Sequence, residues 1–334
     1  MSTPVRFAIL SMAHVHAPAY AAALQALPET ELVAIWDDDS ERGLRAGTNF
    51  GVPCYVDLHD LLRRDDIEAV IITSENVNHR DLALAAAEAG KAILCEKPIA
   101  TVIDDAEAMI AAAQTYEVIL ATAFPVRHNL PALRTREALR SGAIGEPIAI
   151  QATNHGTLPP GWFTSRDRAG GGAVMDHTVH VADLLRWYLG QDPVDVYAEM
   201  SNRLYGLSVE DTAFLTLRFP SGVVATLDPS WSRPPSFPTW GDVTMEIAGT
   251  RGTLQLDAFA QRLVLSPAQS QHVEWIGWGA DMDRAMILDF ARAVRNGTPP
   301  AASGRDGERA LAVVAAAYAS AQSGRPEAVA APPD

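Results

Sequence analysis

Cysteine, long apolar runs and basic clusters are scarce in this chain, and each scarcity removes a class of protein. Two cysteines in 334 residues, Cys54 and Cys95, supply neither a disulfide framework nor a spaced zinc set, which points to a reducing compartment. No uninterrupted apolar segment approaches the ~18 residues of a membrane helix, so no membrane partner is expected. The opening MSTPVRFAILSM has one Arg and a very short apolar stretch, short of a secretory h-region. Cytoplasm is the expected location. Lys and Arg number 26 against 41 Asp and Glu, a net charge of −15 with no basic run. Such a chain repels a phosphate backbone, and nucleic acid is not an expected partner.

What remains is a globular composition, 48% hydrophobic and 20% charged, long enough for two domains. The first part alternates short apolar runs (Val5–Leu10, Leu32–Trp36, Ala69–Thr73, Ala92–Cys95, Val118–Ala121) with Ala-rich helical stretches such as Ala17–Leu27, Asn78–Ala89 and Val102–Thr115. Fully apolar strands separated by helices predict an α/β domain with a doubly wound parallel sheet covered on both faces. After about residue 123 the character changes. Strand-like segments dominate from Ile148 on, and the turns Pro220-Ser221-Gly222 and Gly249-Thr250-Arg251-Gly252 read as antiparallel hairpins. One clear helix, Ala173–Leu189, interrupts them, and helices near Met282–Arg295 and Gly307–Ser320 close the chain. The expected division is a Rossmann-type dinucleotide-binding domain over 1–123 and an α+β domain with a large, mainly antiparallel sheet over 124–325. Residues 326–334 read as a loose tail.

A Rossmann domain holds the pyrophosphate in the turn after its first strand, normally G-x-G-x-x-G, where backbone amides approach the phosphates. Here the turn reads Ser11-Met12-Ala13-His14-Val15-His16, and all three glycines are missing. Ser11 and Ala13 are small, so close approach stays possible if their φ angles are negative. His14 and His16 either donate toward phosphate or substrate, or are satisfied structural histidines. Asp37 ends the second strand, 26 positions after Ser11. A carboxylate there can accept from the adenosine ribose hydroxyls. With Asp38 and Asp39 beside it, a 2′-phosphate would meet like-charge repulsion, so NAD is expected over NADP. Thr73, Ser74 and Asn76 follow the fourth apolar strand and are placed to touch the riboses, while His79 sits at the start of the next helix.

Cys95-Glu96-Lys97-Pro98 ends a buried strand on a charged pair and a proline, at the sheet edge where ligands bind in open α/β folds. Together with Arg127 and Pro131, Gly142-Ala143-Ile144-Gly145-Glu146, and above all Gly170-Gly171-Gly172-Ala173-Val174-Met175-Asp176-His177-Thr178-Val179-His180-Val181-Ala182-Asp183, this segment resembles the glucose–fructose oxidoreductase / inositol dehydrogenase (Gfo/Idh/MocA) family almost end to end. The missing glycines are the main departure. The resemblance implies hydride transfer between NAD and a hydroxyl-bearing carbon, usually of a sugar or polyol. It also implies a homodimer or homotetramer built through the C-terminal sheet. It implies a catalytic set that falls here on Lys97, Asp176 and His180, with Glu96 and Lys97 at the cofactor.

Helical spacing supports that set: Val174, Thr178, Val181, Leu185 and Tyr188 form an apolar stripe, and Asp176, His180 and Asp183 a separate polar one. A neutral His180 can take the hydroxyl proton, with Asp176 orienting it and cationic Lys97 stabilising charge on the oxygen. Arg127, His155, Trp162, Arg166 and His177 are expected to line the substrate. No metal is expected, because the histidines come without HExxH or paired cysteines. Two further readings stay open: an NAD-retaining glycosidase or epimerase working by transient oxidation, and a non-catalytic NAD-binding regulator.

Overall fold

The computed structural model describes residues 3–266 and 273–331. Its elements run β1 (Val5–Leu10), α1 (Ala17–Ala26), β2 (Thr30–Trp36), α2 (Ser40–Phe50), β3 (Cys54–Tyr55), α3 (Leu58–Leu62), β4 (Ala69–Ile72), α4 (His79–Glu88), β5 (Ala92–Cys95), α5 (Ile103–Thr115) and β6 (Leu120–Thr122). There follow α6 (Leu130–Arg140), β7 (Pro147–Thr153), α7 (Arg166–Ala169), α8 (Ala173–Leu189), β8 (Asp195–Ser201), β9 (Thr212–Arg218), β10 (Val224–Asp228), β11 (Thr244–Gly249) and β12 (Gly252–Asp257). The chain closes with the β13 (Arg262–Leu265) and β14 (Glu274–Gly277) pair, α9 (Met282–Asn296), α10 (Gly304–Ser323) and β15 (Glu327–Ala328). No helix of the described residues is long and apolar enough to cross a membrane.

By contacts the chain forms two compact units, Met1–Pro125 with Asp281–Glu308, and Val126–Ala280 with Arg309–Asp334. In the first, the strands are all parallel in the order β3-β2-β1-β4-β5-β6, the doubly wound arrangement of dinucleotide-binding folds. β4 and β5 are buried at every residue, because helices cover both faces of a parallel sheet. The first unit runs to Pro125, two residues past the expected boundary, and also takes in Asp281–Glu308. Asp281–Glu308 groups with the first unit because α9 buries Met286, Ile287 and Phe290 in the same cluster as Phe7, Ile9 and Leu24. Burying each such side chain is worth about 1.5–3 kcal/mol.

The second unit is built on a seven-stranded sheet, β12-β11-β7-β10-β9-β8-β15. Its pairs are antiparallel except β7 with β10, which run parallel. The two Gly-containing turns join β9 to β10 and β11 to β12 as expected. Side chains alternate: Ala213, Leu215 and Leu217 of β9 are buried, while Phe214 between them is 66% exposed. Residues 326–331 are no loose tail, since β15 pairs with β8 and the Ala330 carbonyl accepts from Arg309 Nη1 at 2.6 Å. Residues 332–334 of that expected tail lie outside the described residues.

Candidate active site

At the end of β1 the chain turns through Ser11 into α1. Ser11 has φ 73°, the left-handed conformation that glycine adopts freely, and not the negative angle that close approach required. Its N–H donates to the Trp36 carbonyl at 2.6 Å, and its carbonyl accepts from Thr73 Oγ1 at 2.5 Å. Two neighbouring strand ends thus hold a glycine-shaped turn without glycine. The turn's amides point inward. Met12 N–H donates to Asp37 Oδ2 (2.7 Å), Ala13 N–H to Ser11 Oγ (3.3 Å), His14 N–H to the Thr73 carbonyl (2.9 Å) and His16 N–H to His14 Nδ1 (3.1 Å). Thr73, expected at a ribose, is therefore a tie between β4 and this turn. Ser74 Oγ donates to the Glu75 carbonyl at 3.1 Å, and Asn76 opens a short 3-10 turn; both are buried.

Asp37 ends β2 where a ribose acceptor belongs, with its side chain fully buried. Sequence reasoning missed its partner Arg42, in the first turn of α2. Arg42 Nε lies 2.9 Å from Asp37 Oδ2, and Nη2 lies 2.7 Å from Asp37 Oδ1 and 2.8 Å from Asp38. The available signal was an arginine five residues after the acid, on the helix that follows it.

Glu96 closes the other side of the turn. Its Oε1 lies 2.8 Å from His16 Nδ1 and 3.6 Å from His14 Nδ1, and its Oε2 accepts from Lys97 N–H at 2.9 Å. Burial opposes the Glu96 charge, yet His14, His16 and Lys97 hold the carboxyl well below its usual range. Burial likewise opposes a charge on His16, and Glu96 outweighs it, so that imidazole titrates above its usual value. Lys97 is 4% exposed and precedes a cis peptide to Pro98. His79 Nδ1 donates to the Pro98 carbonyl at 3.0 Å, which fixes this loop, and burial lowers its pKa. Asp283 of α9 carries no sequence signal, yet its field reaches His16 and Glu96, and burial pushes it up to about 6.

In the second unit, α8 starts on close packing. A Cβ on Gly172 would lie 2.0 Å from the Glu210 carbonyl oxygen, so only glycine lets the helix begin there. The Glu210 carboxylate then accepts from Gly172 N–H (2.8 Å), Val174 N–H (3.1 Å) and Tyr318 Oη (2.7 Å), satisfying amides that a helix start leaves open. The expected apolar stripe is buried, and so is most of the polar one: His180 and Asp183 are 6% and 0% exposed, and Asp176 is half-buried. α8 is a core helix rather than an amphipathic one.

Asp176 Oδ2 accepts from Trp231 Nε1 at 3.1 Å and lies 3.3 Å from His177 Nε2. His177, expected on the substrate side, thus lies beside Asp176. Arg127, expected at the substrate, binds Asp183 through its Nε and Nη2 at 2.6 and 2.5 Å, both side chains buried. His155 is ion-paired as well, with Nε2 3.0 Å from Asp228 and Nδ1 3.0 Å from Asp242. Burial works against its charge, but the two carboxylates raise its pKa to about 9. Arg233 joins Asp242 as well, and Asp242 is held far below its usual range. Trp162 is buried and stacks on Phe163 at 4.0 Å, while Arg166 is exposed at the start of α7.

Two family models cover this architecture. Residues 5–124 match the oxidoreductase family with an NAD-binding Rossmann fold, and residues 132–255 match the GFO/IDH/MocA C-terminal domain. The chain belongs to the Gfo/Idh/MocA oxidoreductase family. Among its relatives, 1,5-anhydro-D-fructose reductase of Ensifer adhaerens is 32% identical over 305 residues, covering 88% of this chain and 90% of that protein. Myo-inositol 2-dehydrogenase of Thermotoga maritima is 29% identical, covering 86% and 88%. Among solved structures, a probable dehydrogenase from Thermotoga maritima is 27% identical with a TM-score of 0.84, covering 97% of this chain and 99% of that one. This Gfo/Idh/MocA chain is an oxidoreductase whose coenzyme is NAD. The residues present fit that coenzyme at the buried carboxylate of Asp37, which follows β2.

Proposed function

We propose that this protein is an NAD-dependent dehydrogenase of a sugar, inositol or related polyol, oxidising a CH–OH group. The observation that carries the reading is α8, which carries half-buried Asp176 beside buried His177 and His180 on one helix of a chain whose other unit is a Rossmann domain. The names of the relatives, a sugar reductase and an inositol dehydrogenase, support the substrate class. Asp37 would hold the adenosine ribose, with the Ser11–His16 turn, Thr73, Ser74, Asn76 and Glu96 framing the rest of the coenzyme. NAD, when bound, takes up the hydride from the alcohol carbon. In this reading His180 accepts the hydroxyl proton, Asp176 fixes the imidazole partner it faces, and Lys97 stabilises charge that develops on the oxygen. His177, Trp162 and Arg166 contribute to the substrate wall, and Arg127 and His155 hold that wall in place through their ion pairs.

The test is NADH absorbance across a polyol panel. His180→Ala is expected to lower kcat by about 10²–10⁴, the usual worth of a general base. Turnover within a few-fold of wild type would remove His180 from proton transfer. One observation favours a second reading, a coenzyme-binding regulator: the turn amides of Met12, Ala13 and His14 are spent on internal acceptors. NAD binding without NADH formation on any polyol would select it. The same proposal extends to a cytoplasmic homo-oligomer. Its support is the pair of unbridged cysteines and the outward face of the seven-stranded sheet, where Phe214 and Val224 are exposed.

A further inference from the structure

The turn after β1 and the turn after β5 bring three metal-competent side chains together in the first unit. One ligand atom each from His14, His16 and Glu96 lies within 4.8 Å of the other two. Ions of the zinc class bind imidazole and carboxylate at about 2.0–2.2 Å, which sets ligand–ligand edges of about 3.3 Å in a tetrahedral site. The separations of 2.8 Å from His16 Nδ1 and 3.6 Å from His14 Nδ1 to the same Glu96 oxygen bracket that edge. The imidazole rings meet edge to face at 4.5 Å between centroids, so both converge on Glu96 rather than diverging into solvent.

The surroundings suit an ion as well. Glu96 and His14 are buried, and the His16 side chain is 34% exposed. Lys97 N–H holds the second Glu96 oxygen at 2.9 Å, the outer contact that orients a ligating carboxylate. Asp283 adds a second carboxylate whose field reaches His16 and Glu96. Imidazole with carboxylate selects zinc, nickel or cobalt over magnesium and calcium, which prefer oxygen alone. We propose that His14, His16 and Glu96 form a binding site for one divalent transition-metal ion of the zinc class. The ion would sit on the coenzyme turn, displacing both the hydrogen bond between His16 and Glu96 and the one that His16 N–H donates to His14 Nδ1. The expectation of no metal rested on spacing in sequence, and Glu96 lies 80 positions from His16.

Cobalt(II) is the probe, because a four- or five-coordinate cobalt site absorbs in the visible. Full-length protein without an affinity tag, stripped with chelator and dialysed, is titrated with cobalt(II) and then with zinc. One equivalent of cobalt with visible absorption, displaced by one equivalent of zinc, is the expected result. His14→Ala and His16→Gln should each weaken uptake by at least about 100-fold, since even an outer contact of a metal ligand is worth 10–100-fold. The exposed His59→Gln should not change it. Circular dichroism confirms that the variants are folded. Failure of folded wild-type protein to take up either ion overturns the proposal, whatever becomes of the variants. Uptake that survives both His substitutions overturns it too. NAD binding measured in parallel reports on the dehydrogenase reading and not on this one.

Discussion

Arg127 and Asp183 pose the sharpest question at the scale of single residues. An arginine near the catalytic helix reads as a substrate ligand, yet its Nε and Nη2 bind a carboxylate that is itself 0% exposed. Removing one partner of a buried pair leaves the other charged and unpaired, at a cost of about 3–5 kcal/mol. Arg127→Ala is therefore expected to lower thermal stability by that order, measured by denaturant unfolding. Loss of substrate affinity with unchanged stability would restore the substrate role. His155 makes a pH prediction. Its folded pKa of about 9 stands above its ordinary 6.5, so the imidazolium's contribution is complete below about pH 6.5. It declines as pH rises and is gone above about 9. The melting temperature should fall across that window, and His155→Gln should flatten the fall. A wild-type profile that matches the variant would exclude His155 as the cause.

At the scale of elements, α8 depends on a backbone contact that no side chain can share. Gly172→Ala would drive a methyl group against the Glu210 carbonyl. Overpacking against backbone belongs at the upper end of its usual cost, about 3 kcal/mol. A melting temperature lowered by at least about 5 °C is expected; an unchanged one would mean that the Glu210 segment yields easily. Elements also show what a sequence can disclose. The runs Val5–Leu10, Ala69–Ile72 and Ala92–Cys95 were legible because a covered parallel strand is apolar throughout. β3 has two residues, and β13 places Leu263, Val264 and Leu265 in exposed positions, so neither carried a burial pattern to find. The same holds in the site. Asp37, Lys97 and the triple-glycine helix announce themselves by place in the chain. Arg42 on Asp37, Trp231 on Asp176, Glu210 under α8 and Asp283 near His16 exist only through folding.

Over the whole molecule, the seven-stranded sheet leaves one face open among the described residues, with Phe214 at 66% exposure and Val224 at 40%. If oligomerisation uses that face, Phe214→Glu should shift the protein to monomer in light scattering after size exclusion, while the Arg63→Ala control, on an exposed pair with Asp60 on α3, does not. An oligomer indifferent to Phe214→Glu would place the interface elsewhere.

The return of Asp281–Glu308 to the first unit also orders events in time. A ribosome releases the Rossmann strands early, but Met286, Ile287 and Phe290, which seal Phe7 and Ile9, emerge only after all of Val126–Ala280 has been made. The coenzyme unit is thus the first begun and among the last completed. Until then its nascent β1–α1 surface stays wet and apolar, the kind of exposure that chaperones bind.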